Sequence, residues 1–265
     1  MKFKNWGAGI LACLVLFACN TEQTETEGTE SKYKAVKMDG EAAFDAEMLE
    51  IDREIASEGQ LLSSFRYSKE DGAMILAHAH LTNEGRIIKI DEEFNDGPGK
   101  SYGLNSYYLK GDKPFATRAY FEEVKGGKSM FVERISYYKD GKVQKTKERT
   151  AEYEELIEDK QFVGVKPQAL SVERAQRIMN QEKEFETLFQ GFVEVQAVNY
   201  MVLGSAEEDG YTTTVRIERP DQFTYFLLAN QEECLNKKVK VSFENVVDRT
   251  GFEYQSYLGG GFVNP

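Results

Sequence analysis

Residues 73–94, AMILAHAHLTNEGRIIKIDEEF, decide how this chain folds. Two runs rich in apolar and β-branched residues flank TNEG, whose Asn83 and Gly85 supply turn chemistry, and so short a break joins antiparallel neighbours. The same grammar extends both ways: LLSSFRYS, SYGLNSYYL, PFATRAYFEEV, SMFVERISYY and KVQKTKER are separated by KEDG, NDGPGK, KGDK, KGGK and KDG. From Leu61 to Arg149 this predicts a β-meander of about seven strands.

Helical signals flank it. In GEAAFDAEMLEIDREIASEG, residues 40–59, Phe44, Met48, Ile51 and Ile55 share one helical face, acids fill the other, and Gly59 marks the stop. TAEYEELIED, residues 150–159, is a candidate short helix. After Ser171, a candidate N-cap, Val172, Ala175, Ile178, Met179, Phe185, Leu188, Phe189 and Phe192 lie largely along one face, which predicts the strongest helix of the chain. Strict alternation then returns. Tyr211, Thr213, Val215 and Ile217 face one way in YTTTVRIER, and Val239, Val241 and Phe243 do so in KVKVSFENVV. The expected fold is mainly β (α+β): an antiparallel β-meander with amphipathic helices, followed by a small OB- or SH3-like β-barrel, unless the later strands extend the first sheet.

The phrases SYYLKGDKPF and SYYKDGKVQK resemble the tandem hairpins of MORN-like repeat proteins and of bacterial envelope proteins. That resemblance implies an open twisted sheet and assigns no binding residues. The N-terminus carries a second one. Lys2 and Lys4 precede an uncharged apolar run, Trp6 to Ala18, too short to cross about 30 Å of hydrocarbon as a helix. Leu16, Phe17, Ala18 and Cys19 resemble the lipobox of bacterial lipoproteins. The resemblance implies that residues 1–18 are a signal peptide, that Cys19 is acylated (palmitate among the chains), and that the protein is anchored in the cell envelope at the outer membrane, facing the periplasm or the surface. Ile10, Leu11, Ala12 and Cys13 form a competing lipobox with a shorter apolar run before it. Acyl chains on one cysteine would hold the chain to a bilayer, each buried CH₂ contributing about 0.8 kcal/mol.

The organisation expected is therefore a signal peptide at 1–18, a flexible acidic tether at 19–35 beginning NTEQTETEGTES after the cysteine, a helix plus meander at 36–168, and a helix plus barrel at 169–265. A net charge of −12 argues against nucleic acid as a partner and against broad adhesion to anionic headgroups. Of the three cysteines, Cys234 is left alone after Cys13 and Cys19, so no internal disulfide is expected, and a small buried residue is the reading for Cys234.

Candidate chemistry is sparse. The two histidines, His78 and His80, point to one face of a strand with Met74 and Leu76, the geometry of a two-imidazole zinc site lacking a third ligand. The acidic stretch from Asp91 to Gly97 lacks the ligand order of a calcium loop and is expected to be a solvated turn. There is no H-E-x-x-H, P-loop or dinucleotide fingerprint. Adjacent tyrosines such as Tyr107 and Tyr108 must face opposite ways, so the sheet has an aromatic face that either stacks a sugar or lies beneath a helix. The sequence thus points to a lipid-anchored envelope protein, non-enzymatic, acting as a binding or structural module, with an envelope protein or a glycan as the candidate partner. The alternative is a metal-assisted hydrolase using His78 and His80.

Overall fold

Meander and flanking segments form the strands β1 Gln60–Ser63, β2 Tyr67–Ser68, β3 Met74–Leu81, β4 Ile87–Asn95, β5 Tyr102–Lys110, β6 Lys113–Lys125, β7 Lys128–Lys139, β8 Lys142–Ala151 and β9 Val163–Val165. The structure is a computed structural model describing residues 40–125, 127–207 and 209–263; the expected signal peptide, Cys19 and tether lie outside the described residues. From β3 to β9 each strand pairs antiparallel with the next, while β1 and β2 share the other edge of β3.

Register fixes two unlike faces. Ala79, Ile90, Tyr107, Thr117, Ser136 and Thr146 align across one; His80, Lys89, Tyr108, Ala116, Tyr137 and Lys145 align across the other. Adjacent tyrosines therefore diverge, and each finds cover: Tyr107 and Tyr108 are both 1% exposed. A β-carbon at Gly103 would stand 2.3 Å from the Tyr120 carbonyl, so glycine lets β5 and β6 close there.

Helix α1, Gly40–Glu58, matches its predicted bounds and covers the second face. Phe44, Met48 and Ile51 pack on Tyr108, Phe115, Ile135 and Tyr137. Its acids are not simply solvated: Asp45 accepts from the Tyr137 hydroxyl at 2.5 Å and from Lys147 at 2.9 Å, and Glu41 pairs with Lys145. Helix α2, Glu173–Asn180, covers the first face, setting Val172, Ala175 and Ile178 in one core with Ile75, Ala79, Ile90 and Tyr107.

This second helix is much shorter than its apolar spacing predicts. Gln181 adopts a left-handed conformation, φ 56° and ψ 51°, and the amide of Glu182 bonds back to the Arg177 carbonyl. A 3-10 turn at Lys183–Phe185 follows, and Phe189 opens a strand, because its partners lie across the sheet rather than along a helix. The helix expected at 150–159 is likewise only a 3-10 turn, Glu154–Leu156, since Thr150 and Ala151 continue β8. The acidic stretch at Asp91–Gly97 is mostly strand: Asp91 to Asn95 belong to β4, with Glu92 fully buried, and only the residues beyond Asn95 turn.

The chain continues through β10 Phe189–Val195, β11 Val198–Gly204, β12 Thr212–Ile217, α3 Gln222–Ala229, α4 Gln231–Cys234, β13 Val239–Val247 and β14 Glu253–Phe262. As the alternation predicts, Thr213 and Val215 are buried on one side of β12, as are Val239 and Val241 on β13. Strand β12 is the junction, antiparallel to β2 at Thr212 and Ser68 and parallel to β14 at Arg216 and Ser256. The fold is mainly β, built on one large mixed sheet that is not closed. Phe65, Tyr67 and Ile75 of the first β region share a core with Met201, Leu203, Val215 and Leu227 of the second.

Candidate functional site

Under α2 the meander carries a continuous apolar core, bordered by a cleft of about 730 Å³ that Ile87, Ile90 and Leu109 of the sheet and Gln176 and Met179 of the helix line. Its charged feature is Glu92, whose Oε1 accepts from the Arg174 guanidinium at 2.5 Å and from Asn105 at 3.0 Å. This joins helix to sheet. Glu92 Oε2 lacks a hydrogen-bond partner among the described residues, which makes the carboxylate dependent on Arg174.

Under α1 the sheet is covered in two patches with a gap between them. The helix takes the rows nearest Tyr108 and Tyr137, and the segment at 154–158 seats Ile157, 3% exposed, elsewhere on the face. Between them lies a cleft of about 540 Å³ with Leu104, Ser106, Tyr108, Arg118 and Tyr120 along the sheet. Asp52, Lys89, Glu154, Glu155 and Glu158 supply charge around it.

Its polar groups are held rigidly. Asp91, on the floor beside the cleft, takes the Ser106 hydroxyl at 2.5 Å on Oδ1, has His80 Nε2 at 2.8 Å from Oδ2, and lies 3.4 Å from Lys89 Nζ. Burial pushes this carboxyl up, but the bond to His80, the Lys89 charge and the Ser106 hydroxyl outweigh it and hold the group below the ordinary carboxylate range. Lys89 also reaches Asp52 at 3.2 Å, and the Tyr108 hydroxyl donates to Asp52 at 3.0 Å, so α1 and floor share one network. Deeper, Glu133 is 1% exposed and takes Arg118 Nε at 2.6 Å on one oxygen and Arg149 Nε at 2.5 Å on the other. Arg149 also donates to the Glu158 carbonyl, tying the 154–158 wall down. Burial works against the charge of Arg118, but Glu133 more than compensates and keeps the guanidinium firmly charged.

Tyrosines at the open side are polarised by acids. Desolvation and a hydrogen bond to Glu122 push Tyr102 up to about 12, and Tyr120 is raised by desolvation and by Glu154. Both phenols are therefore neutral donors with their rings still available. Tyr102 is 37% exposed and Tyr120 is partly so, whereas Tyr107, Tyr108, Tyr137 and Tyr138 are buried; the aromatic face predicted as a platform is reduced to these two.

His78 and His80 do share a face, but they engage different partners. His78 Nδ1 meets the Ser63 hydroxyl at 2.9 Å and its Nε2 lies 3.8 Å from Glu93, while His80 is committed to Asp91. Burial holds His78 below the ordinary histidine range, against the pull of Glu93 and Asp91. Among the described residues no three His, Cys, Asp or Glu side chains are grouped as metal ligands. Ser106 bonds Asp91 rather than a histidine, so these three side chains do not form a nucleophile and base pair. Cys234 is free and buried.

Lys89, Ser106, Arg118, Glu133 and Arg149 were not legible as site residues. The available signal was charge at sheet-facing positions of successive strands, at alternate sites in KIDEEF, TRAYFEEV, VERIS and KTKERT. No family model, no curated protein and no solved structure matches this chain.

Proposed function

We propose that this chain is a lipid-anchored cell-envelope protein that works as a binding module, taking its ligand in the cleft between α1 and residues 154–158. The observation that carries the reading is the convergence in that cleft of Ser106, Tyr108 and Tyr120 with the guanidinium of Arg118 and the carboxylates of Asp52 and Glu154. Carboxylates accept from hydroxyls, guanidinium and phenols donate to them, and tyrosine rings stack on the apolar face of a sugar. The excess of carboxylates disfavours an anionic ligand. An envelope glycan therefore fits better than a phosphorylated or nucleic-acid ligand.

Anchorage rests on the likeness of Leu16, Phe17, Ala18 and Cys19 to a lipobox. Intact mass of the cell-derived protein checks it: the expected species begins at acylated Cys19, and a chain still starting at Met1 or carrying lipid on Cys13 refutes it. Ligand binding is checked on an array of envelope glycans with the wild-type chain and Tyr120→Ala. Retention that drops on this substitution supports the reading. A chain that no glycan retains, while crosslinking in intact envelope recovers a protein partner, overturns it.

The second half of the chain is proposed to be an OB-type barrel. Support comes from the order β10-β11-β12-β14-β13, the parallel step from β12 to β14, helices α3 and α4 between β12 and β13, and a bridge from Leu188 to Lys238 beside the start of β10. The rival reading, a metal-assisted hydrolase, keeps the 2.8 Å pairing of His80 with Asp91 on the face shared with His78. Stoichiometric zinc in the purified chain, lost in the His78→Ala, His80→Ala double variant, would establish it.

A further inference from the structure

We propose that the outer side of α3, with Phe262, seats on an anionic phospholipid surface. An eight-residue helix, QFTYFLLA, presents Leu227 and Thr224 to the core, yet Tyr225 is 60% exposed, Phe226 49% and Leu228 59%. A helix apolar all round belongs in a covered place. Phe262, 38% exposed, extends the patch, its ring centroid 6.0 Å from that of Phe226 and 5.3 Å from that of Phe223. Gly260 permits this closeness, because a β-carbon there would lie 3.0 Å from the Phe223 ring.

Charge selects the occupant. Lys237 Nζ lies 5.8 Å from the Phe262 ring centroid, and Lys240, exposed on β13, stands opposite Gly261 beside it. The sequence from Leu235 to Ser242 holds three lysines and no acid, within a chain of net charge −12; Lys238 is paired with Glu186 at 2.9 Å, which leaves Lys237 and Lys240 as the charges beside the patch, and Glu232 and Glu233 lie on α4 just before this stretch. Aromatic and aliphatic side chains bordered by lysine suit the headgroup boundary of a bilayer, where rings enter and ammonium groups meet phosphate. The overall negative charge then opposes adhesion everywhere except at this end. The inference rests on the proposed anchoring: at full extension the chain from Cys19 to Gly40 spans at most about 75 Å, which limits how far the folded body can lie from the bilayer.

The chain's single tryptophan is Trp6, inside the expected signal peptide, so the mature protein has none. Full-length protein purified from cells, carrying Tyr225→Trp or Phe252→Trp, is incorporated into phosphatidylethanolamine–phosphatidylglycerol vesicles containing brominated phosphatidylcholine. Phe252 is also exposed but lies just before the other end of the same strand, roughly 30 Å from Phe262. The expected result is quenching several-fold stronger for Tyr225→Trp than for Phe252→Trp, reduced by Lys237→Gln with Lys240→Gln and by high salt. Equal quenching at both sites, or none in vesicle-bound protein, overturns the docking while leaving the anchor standing. An unquenched Tyr225→Trp chain that crosslinks to itself assigns the patch to a second copy and also overturns it. A chain whose intact mass shows no lipid, but whose Tyr225→Trp form is quenched beyond the same chain without that substitution, sinks the anchor and upholds the docking.

Discussion

The two faces of the meander are built from alternate residues of the same strands, yet one carries a continuous apolar core and the other a network of paired charges. Beneath α2, side chains such as Ala79, Ile90 and Tyr107 meet Ala175 and Ile178 in a continuous core, and a buried charge, Glu92, is answered from the helix by Arg174. Beneath α1, apolar packing stops at Tyr108 and Ile135, and beyond it run Asp91, Ser106, Arg118 and Glu133, whose partners come mostly from neighbouring strands. A charge paired within the sheet needs no covering helix. That is why polar and charged side chains can line the cleft on the second face.

The contrast is broken most strongly at Tyr107. Tyr107→Ala empties a site 1% exposed in the α2 core and should cost about 3–5 kcal/mol in urea unfolding, against under about 1 kcal/mol for Tyr120→Ala on the second face. Equal losses would mean that the cleft is packed as tightly as the core. Next comes Arg174→Met, which strands the Glu92 carboxylate and should cost about 2–4 kcal/mol, with much of the loss recovered when Glu92→Leu is added. Arg118→Met should cost only about 1 kcal/mol, since Glu133 keeps Arg149; a larger loss would show that Arg118 is structural rather than poised for a ligand.

The smallest effect is in pH. His78 titrates below its unfolded value of 6.5 because burial disfavours the imidazolium, so below about that pH the unfolded chain binds the extra proton first. Stability should therefore decline as pH falls from 6.5 toward the native value, and His78→Gln should flatten that slope. Asp91 adds its own loss further down, as pH falls below 3.8 through its lowered native value, because there too the unfolded state takes up the proton. Thermal melts between pH 7 and 3 separate the two; an unchanged slope in His78→Gln would show that the imidazole is solvated.

Much of this architecture was legible before any tertiary contact. Glycine with Asp, Asn or Lys at each break specified hairpins, alternation specified which residues of β12 and β13 turn inward, and the spacing of Phe44, Met48 and Ile51 specified α1 nearly to the residue. These are local properties, because φ and ψ preferences and side-chain direction repeat with the period of the element itself. Other decisions were not local. The apolar series from Val172 to Phe192 has helical spacing throughout, yet helix ends at Asn180 and strand begins at Phe189, because Phe189 gains a partner in Leu203. Asp91 and Glu92 look like turn acids until register places His80, Ser106 and Arg174 around them. Sequence by itself determined the period and punctuation of the chain, and with them the meander and α1. Only the tertiary structure decided which charges meet, where α2 stops and which face carries the charge network, since those depend on strand pairings between residues far apart in sequence, and no local period encodes them.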